Sequence, residues 1–448
     1  MSNSTGVRMP EFSQEHDSLQ GAQRLDLDDP LHSFRDEFHI PLAPNNTPQF
    51  YFAGHSLGLM PKRAREYIDL ELDEWSHLGV AGHFSAKNPW LPYHETVSEN
   101  LAHIVGAQPK EVVAMNSLTA NLHLMLVSFY RPTSSRFRIL IENNAFPSDR
   151  YAVDSQTRFH GFDPSRAVVE FKPRVTESDA AMTLETEQIL RQIYALGDSL
   201  AVVMLGQCNY LSGQAFETAE IVKAARKVGA FVGFNLAHGA GNLLLKLHDE
   251  NVDFAVWCSY KYLNSGPGGI AGAFVHERHL QDRNIPRFAG WWGHNKQTRF
   301  EMGPKFDPIP TAESWQLSNP PIFQLAALRA STEIFARATM PALRKKSELL
   351  TGYLEWLLKR HLGEKVEIVT PAQERGAMLC MRLLSAGGAE HATESPLTHA
   401  HKQIEAKLKE RGAVVDFREP DVFRMAPVPL YNSFEDVYRL VTVLRETL

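Results

Sequence analysis

The stretch "SLAVVMLGQCNYLSGQAFETAEIVKAARKVGAFVGFNLA", residues 199–237, reads as a complete strand–helix–strand unit. Its first part, "SLAVVMLG" (199–206), is a continuous apolar run of strand length bounded by glycine. "ETAEIVKAARKVG" (217–229) places its apolar residues at helical spacing, and "AFVGFNLA" (230–237) is again a strand. The same alternation extends in both directions. Downstream, "DFAVWCS" (253–259) and "GIAGAFVH" (269–276) read as strands. Upstream, helices are expected at 184–196, 147–159 and 116–130, with strands at 167–171 and 136–141. Alternating strands and helices predict an α/β domain built on a mostly parallel sheet. After "NPPIFQLAALRASTEIF" (319–335) the pattern changes. A long helical stretch runs to about residue 361, followed by short strands at "KVEIVT", "AMLCMRLL", "AVVDF" and "VFRMAP", with a helix near 398–411 and a last helix from Ser433. This predicts a smaller α+β domain. The boundaries drawn are an irregular N-terminal arm over 1–48, a large α/β domain over 49–330 and a small domain over 331–448.

Composition narrows the class of protein. The chain has 448 residues with 44% hydrophobic and 22% charged residues, as in an ordinary globular protein. Its net charge of −6 gives no general attraction to nucleic acid or to an anionic membrane surface. Three cysteines, Cys208, Cys258 and Cys380, are too few for a disulfide framework and fit a reducing compartment. The polar leader "MSNSTGVRMPEFSQEHDS" has no apolar core of a secretory signal, and no run approaches a membrane span. A cytoplasmic protein is expected.

"GHSLG" (54–58) has the G-x-S-x-G outline of a serine nucleophile elbow. A hydrolase elbow follows a central strand, whereas only about 50 largely polar residues precede Gly54. A serine hydrolase using Ser56 is therefore a remote reading. The two glycines fit a tight turn whose backbone amides line a site.

"DFAVWCSYKYLNSGPGGIAG" (253–272) carries more chemistry. Lys261 follows a buried strand and is flanked by Val256, Trp257, Tyr260 and Tyr262. An apolar site lowers a lysine pKa and makes its amine nucleophilic. A structural lysine pairing a carboxylate is the plain alternative. Ser117 and Thr119 in "NSLTANLH" open a helix, which makes either an ordinary cap or an anion seat. "AFPSDRYA" places Phe146 ahead of Asp149, and "GFNLAHGAGN" ends a strand with Asn235 and His238. These segments fall at successive strand ends, where open α/β sheets bind ligands. A phosphate seat, a stacking aromatic, polar groups and a buried lysine together describe a pyridoxal 5'-phosphate (PLP) site. No metal site is expected.

From about residue 31 onward the chain resembles the kynureninases, of PLP-dependent fold type I within the class V aminotransferase-like proteins. "NSLTANLHL", "FPSDRYA", "WCSYKYLNSGPGGIAGAFVHE", "GWWGH", "SNPPI" and "RMAPVPLYNSF" carry the resemblance. It implies a homodimer, with its active site at the subunit interface, that cleaves L-kynurenine or 3-hydroxykynurenine with water to an anthranilate and L-alanine, in tryptophan catabolism and NAD biosynthesis. By position, Lys261 would hold PLP covalently. Leu118, Thr119 and Tyr260 would bind its phosphate, and Tyr260 is also placed among the catalytic residues. Phe146, Pro147, Ser148 and Asp149 would cover and border the ring, with Asn235 and His238 beside it. Trp291 and Asn319 would complete the pocket. His83, Ser318 and Asn319 would read the aryl group, while Ser56 and Arg424 would bind the substrate, Arg424 by its carboxylate.

Three positions depart from the family pattern. "GHSLG" stands where "GNSLG" is usual, so His55 replaces an asparagine. Gly206 stands where many members have a serine. "GFNLAH" replaces "GFDLAH", so Asn235 takes the place of the aspartate that pairs with the pyridine nitrogen. Two alternatives follow from the last change. One is a kynureninase-like relative running β-elimination, β-substitution or cleavage of a modified kynurenine. The other is a PLP-binding protein of low activity.

Overall fold

A computed structural model describes residues 11–171, 182–384 and 396–448, with side chains from 401 in the last segment. The first ten residues of the leader lie outside the described residues. The chain divides into two compact units. One comprises Arg63–Cys208 and Phe216–Ala336; the other comprises Met1–Lys62, Asn209–Ala215 and Arg337–Leu448.

The continuous apolar runs become the centre of a sheet in the first unit. Among the described residues it has seven strands, in the order Val112–Ala114, Gly272–Val275, Phe254–Trp257, Phe231–Asn235, Leu200–Gly206, Arg138–Ile141 and Val168–Glu170. The four pairings from Phe254–Trp257 to Val168–Glu170 are parallel. The two involving Gly272–Val275 are antiparallel. The sheet is therefore mostly parallel, as the alternating pattern predicts. The strand Val112–Ala114 escaped the sequence reading because three apolar residues are too few to show a period. Helices Leu118–Phe129, Pro147–Phe159, Thr186–Leu196 and Thr218–Lys227 form where periodicity places them. The core is built from Leu122, Met125, Phe129, Ile139, Val202, Met204, Phe254 and their neighbours, with the Phe129 and Phe254 rings stacked 4.8 Å apart.

The second unit has a four-stranded antiparallel sheet, ordered Asp416–Arg418, Val422–Met425, Leu379–Leu383 and Val366–Ile368 among the described residues. The helical stretch expected up to residue 361 is two helices, Ile322–Ala338 and Met340–His361. They break at Thr339, which has φ 63 and precedes Met340-Pro341; proline is tolerated only in a first helical turn. The segment before residue 48, read as irregular, contains the helix Leu19–Leu27. Its "LQGAQRLDL" has a glycine and few apolar residues, so periodicity does not reveal it. The helix nevertheless buries Ala22 in this unit's core with Leu354, Leu358, Val437 and Leu440. Its Asp26 carboxylate accepts the Phe434 and Glu435 amides at 2.7 and 2.9 Å, satisfying free N–H groups at the start of the final helix, Phe434–Thr447. Phe50–Tyr51 pairs in parallel with Ala413–Val414, and Ala53 bridges to Ala426. No helix among the described residues is long and apolar enough to cross a membrane.

Candidate active site

In the first unit, residues just past the carboxyl ends of the parallel strands converge. Asn235 closes its strand, and its side-chain oxygen accepts the Ala237 amide at 2.8 Å. That bond fixes the amide orientation and turns Nδ2 toward Asp149. Nδ2 then donates to both Asp149 oxygens, at 3.0 and 2.7 Å. Asp149 lies in the first turn of Pro147–Phe159, where a helix N-terminus favours negative charge. Burial pushes its carboxyl up to about 6, against the pull of the Asn235 amide and the Lys261 amine. Lys261 follows the strand Phe254–Trp257 and is half-buried. Its Nζ lies 3.2 Å from His238 Nε2 and 5.8 Å from the centre of the Phe146 ring. Lys261, His238, Phe146, Asp149 and Asn235 thus come together as expected from their positions at strand ends.

Glu142, one residue beyond the strand Arg138–Ile141, belongs to this group and was not singled out from sequence. It is buried and accepts the Gly206 amide at 2.6 Å. Burial pushes its carboxyl up to about 8, with the Gly206 amide opposing and Asp149 adding to the rise. A Cβ at residue 206 would stand 2.8 Å from Glu142 Oε1. The Gly206 departure and the buried Glu142 therefore share one space. The signal available was an acidic residue closing an apolar strand run, "RILIE".

Ser117 stands at the N-cap position of the helix Leu118–Phe129 without a side-chain capping bond, and Leu118 and Thr119 occupy its first turn, partly exposed. First-turn amides have no partner within a helix, which suits an anion. Tyr260 is half-buried, and burial beside Cys258 holds its hydroxyl well above the usual phenol range. His83 and Trp291 belong to a different grouping. The His83 ring packs edge-on to Trp90, and Phe84 links through Phe300 to Trp291. The Trp291 indole donates to the Arg299 carbonyl at 3.0 Å. Ser318 and Asn319 are exposed.

The second unit holds Arg424, which is 1% exposed. It stands directly opposite Asp416 on the neighbouring strand. Nη2 meets Asp416 Oδ2 at 2.5 Å, and Nη1 donates to the Tyr210 carbonyl at 2.6 Å. Ser56 also donates to Asp416 Oδ2, and Arg424 Nη2 lies 3.3 Å from the Ser56 oxygen. Fully buried His55 places Nε2 3.5 Å from the same Asp416 oxygen. Burial works against the Asp416 anion, but His55, Arg424 and Ser56 hold its carboxyl far below the usual range. Ser56 bonds a carboxylate rather than an imidazole, so the hydroxyl faces no general base of the kind a serine nucleophile needs. Gly54 permits this turn: a Cβ there would lie 2.0 Å from the Tyr431 hydroxyl.

Comparison with known proteins agrees with both parts of the chain. A kynureninase from Myxococcus xanthus is 56% identical over 430 residues, covering 96% of this chain and 97% of its own. The chain belongs to the kynureninase family. A kynureninase from Koribacter versatilis is 53% identical, covering 94% of this chain and 95% of its own. The family model for the kynureninase C-terminal domain matches residues 343–444. Among solved structures, a mutant of C-DES with glycine covalently linked to its PLP cofactor superposes with TM-score 0.68 at 20% identity, covering 91% of this chain and 98% of that one. A cysteine desulfurase from Escherichia coli gives 0.71 at 16% identity, covering 93% and 98%. These likenesses show the fold, which is PLP-dependent fold type I. The kynureninase family shares it.

Proposed function

We propose that the chain is a PLP-dependent hydrolase that cleaves L-kynurenine or 3-hydroxykynurenine to anthranilate or 3-hydroxyanthranilate and L-alanine. The observation that carries this reading is the Lys261 amine, 3.2 Å from His238 and 5.8 Å from the Phe146 ring centre, beside the Asn235–Asp149 pair. Those residues suit the cofactor: an amine for its aldehyde, an aromatic face for its ring and a buried acid for its ring nitrogen. Leu118, Thr119 and Tyr260 would take its phosphate, Pro147 and Ser148 would border the ring, and Trp291 and Asn319 would close the pocket. Bound there, PLP supplies an electron sink for the charge left at the substrate α-carbon.

The chain's own groups do the rest. Lys261 would hold the cofactor through its amine and would serve as the base that moves the proton at that carbon. Arg424 fixes the substrate carboxylate, since a guanidinium offers paired donors. Ser56 lies on the same seat. His83, Ser318 and Asn319 read the aryl group. Asn235 cannot carry an aspartate's charge, but its amide is bonded to the Asp149 carboxylate, so an acid remains in the group. This supports ordinary kynureninase chemistry over the other PLP reactions. The large domain over 49–330 would carry the cofactor, and 331–448 would carry Arg424 and Asp416 of the carboxylate seat. The protein works as a homodimer in the cytoplasm, with its active site at the subunit interface and a small amino acid as its partner.

The test is direct. Purified protein with PLP, given kynurenine, should release anthranilate and alanine in equal amounts. Borohydride should fix the cofactor to Lys261, and Lys261→Ala should lose both the yellow absorbance and the turnover. Fixation at another lysine would overturn the assignment.

A further inference from the structure

His55 is one of this chain's departures from the family pattern, and the structure buries it completely beside the Arg424 seat. The charged and titratable groups around it define what it can do. Asp416 Oδ2 takes Arg424 Nη2, the Ser56 hydroxyl and, at 3.5 Å, His55 Nε2. Arg418 reaches both Asp416 oxygens, Nε to Oδ1 at 3.2 Å and Nη2 to Oδ2 at 3.3 Å, from an exposed position where water screens it. Glu405 accepts the Phe417 amide next along the strand. Cys380 pairs with Arg424 from the other neighbouring strand. The Tyr51 hydroxyl donates to the Leu57 carbonyl, and the Tyr431 ring packs over the Gly54 turn. The fixed charges beside His55 are therefore the partly buried anion Asp416, the fully buried cation Arg424 and the exposed, water-screened Arg418. His55 is the group among them whose side chain can exist either charged or neutral without leaving the seat.

We infer that His55 is the titrating part of the substrate carboxylate seat: its imidazolium takes a share of Asp416 and leaves Arg424 free to hold the carboxylate. This rests on the proposed function. With neutral His55, Asp416 offsets Arg424 apart from the screened contribution of Arg418, and an incoming carboxylate must compete with Asp416 for the Arg424 guanidinium. With charged His55, the seat carries a net positive charge that the carboxylate neutralises. Binding and protonation are then linked, and each strengthens the other by the same factor. An asparagine at residue 55 could donate a hydrogen bond to Asp416 but could not switch.

Two measurements test this. In the first, histidine-labelled holoprotein is titrated by NMR, with the His55 signal assigned by its loss in His55→Asn. Saturating L-alanine should raise the His55 midpoint by about half a pH unit or more, equivalent to roughly threefold tighter binding to the charged form. Arg424→Ala should abolish that response. In the second, KM for kynurenine is followed from about pH 6 to 9, a range spanning an imidazole's ordinary titration. The wild-type KM should rise at least threefold more than that of His55→Asn, with kcat profiles of the same shape; His55→Gln serves if the asparagine variant does not fold. A midpoint that alanine leaves in place, or KM profiles that run parallel, would overturn the inference. Absence of kynurenine cleavage with the alanine response intact would instead count against the hydrolase reading alone.

Discussion

Glu142 holds a proton that the unfolded chain would have released. Its carboxyl is pushed from 4.5 up to about 8 by burial, so between those values the folded state binds the proton and the unfolded state does not. Stability must then fall as pH rises across that window. Asp149, raised from 3.8 to about 6, adds a fall of the same sign at its lower end. Glu142→Gln should flatten the decline in the cofactor-free protein and raise its Tm relative to wild type at about pH 8, with little gain near pH 4.5. Thermal melts across that range check this, and parallel curves would remove Glu142 as the source. Asp149→Asn should lower kynurenine turnover about a hundredfold, since losing a charged partner costs ~1.5–3 kcal/mol and each ~1.4 kcal/mol is tenfold. If turnover instead survives, the acid of this group lies elsewhere, and Glu142→Gln in the same assay locates it. Arg424→Ala should raise KM far more than it lowers kcat, by the ~2–5 kcal/mol of a desolvated charge pair. Lys261, Asp149, Asn235 and Arg424 were legible because motif residues mark them. Glu142 and the role of His55 were not, since they act through partners 64 and 361 residues away, and Asp416 was not, since its pairing with Arg424 depends on a strand register that spacing does not carry.

Elements in the first unit were legible where burial is continuous. Leu200–Gly206 is an apolar run, and its interior faces the sheet's two covered sides. Strand direction was not legible, because an antiparallel Gly272–Val275 shows the same apolar residues as a parallel one. Glycines inside these strands have a packing reason that sequence does not reveal. A Cβ at Gly233 would lie 2.0 Å from the Phe254 ring, and one at Gly272 2.3 Å from the Trp257 indole. In each case the ring lies over a neighbouring backbone and fills the space a side chain would need. Gly233→Ala should therefore destabilise the protein by ~1–3 kcal/mol or more, as overpacking does in a close-packed core. Urea unfolding of the variant measures it. An unchanged midpoint would mean that Phe254 can turn aside without cost.

At the scale of the whole molecule, Val80, Phe84, Phe300 and Met302 leave large apolar side chains exposed in a single chain. Phe84 and Phe300 lie 6.4 Å apart, and Phe300 packs edge-on to Trp291. Phe84, Phe300 and Trp291 are exposed side by side, the pattern of a surface that another chain would cover. Under the homodimer reading, sedimentation should give twice the chain mass, and Phe84→Asp with Phe300→Asp should shift it toward one chain and lower turnover. A monomer that turns over normally would remove the dimer from the mechanism. The pairing of Phe50–Tyr51 with Ala413–Val414 has a consequence in time. The residues that open one compact unit find their strand partner about 360 positions later. At ~5–20 residues per second, a ribosome takes roughly 20–70 s to make that partner. Throughout that interval the sheet strands of the other unit are already emerging in order, whereas the early segment is held waiting. A chain broken off shortly before residue 413 would therefore keep the Lys261 segment yet leave Phe50–Tyr51 without the strand it pairs with.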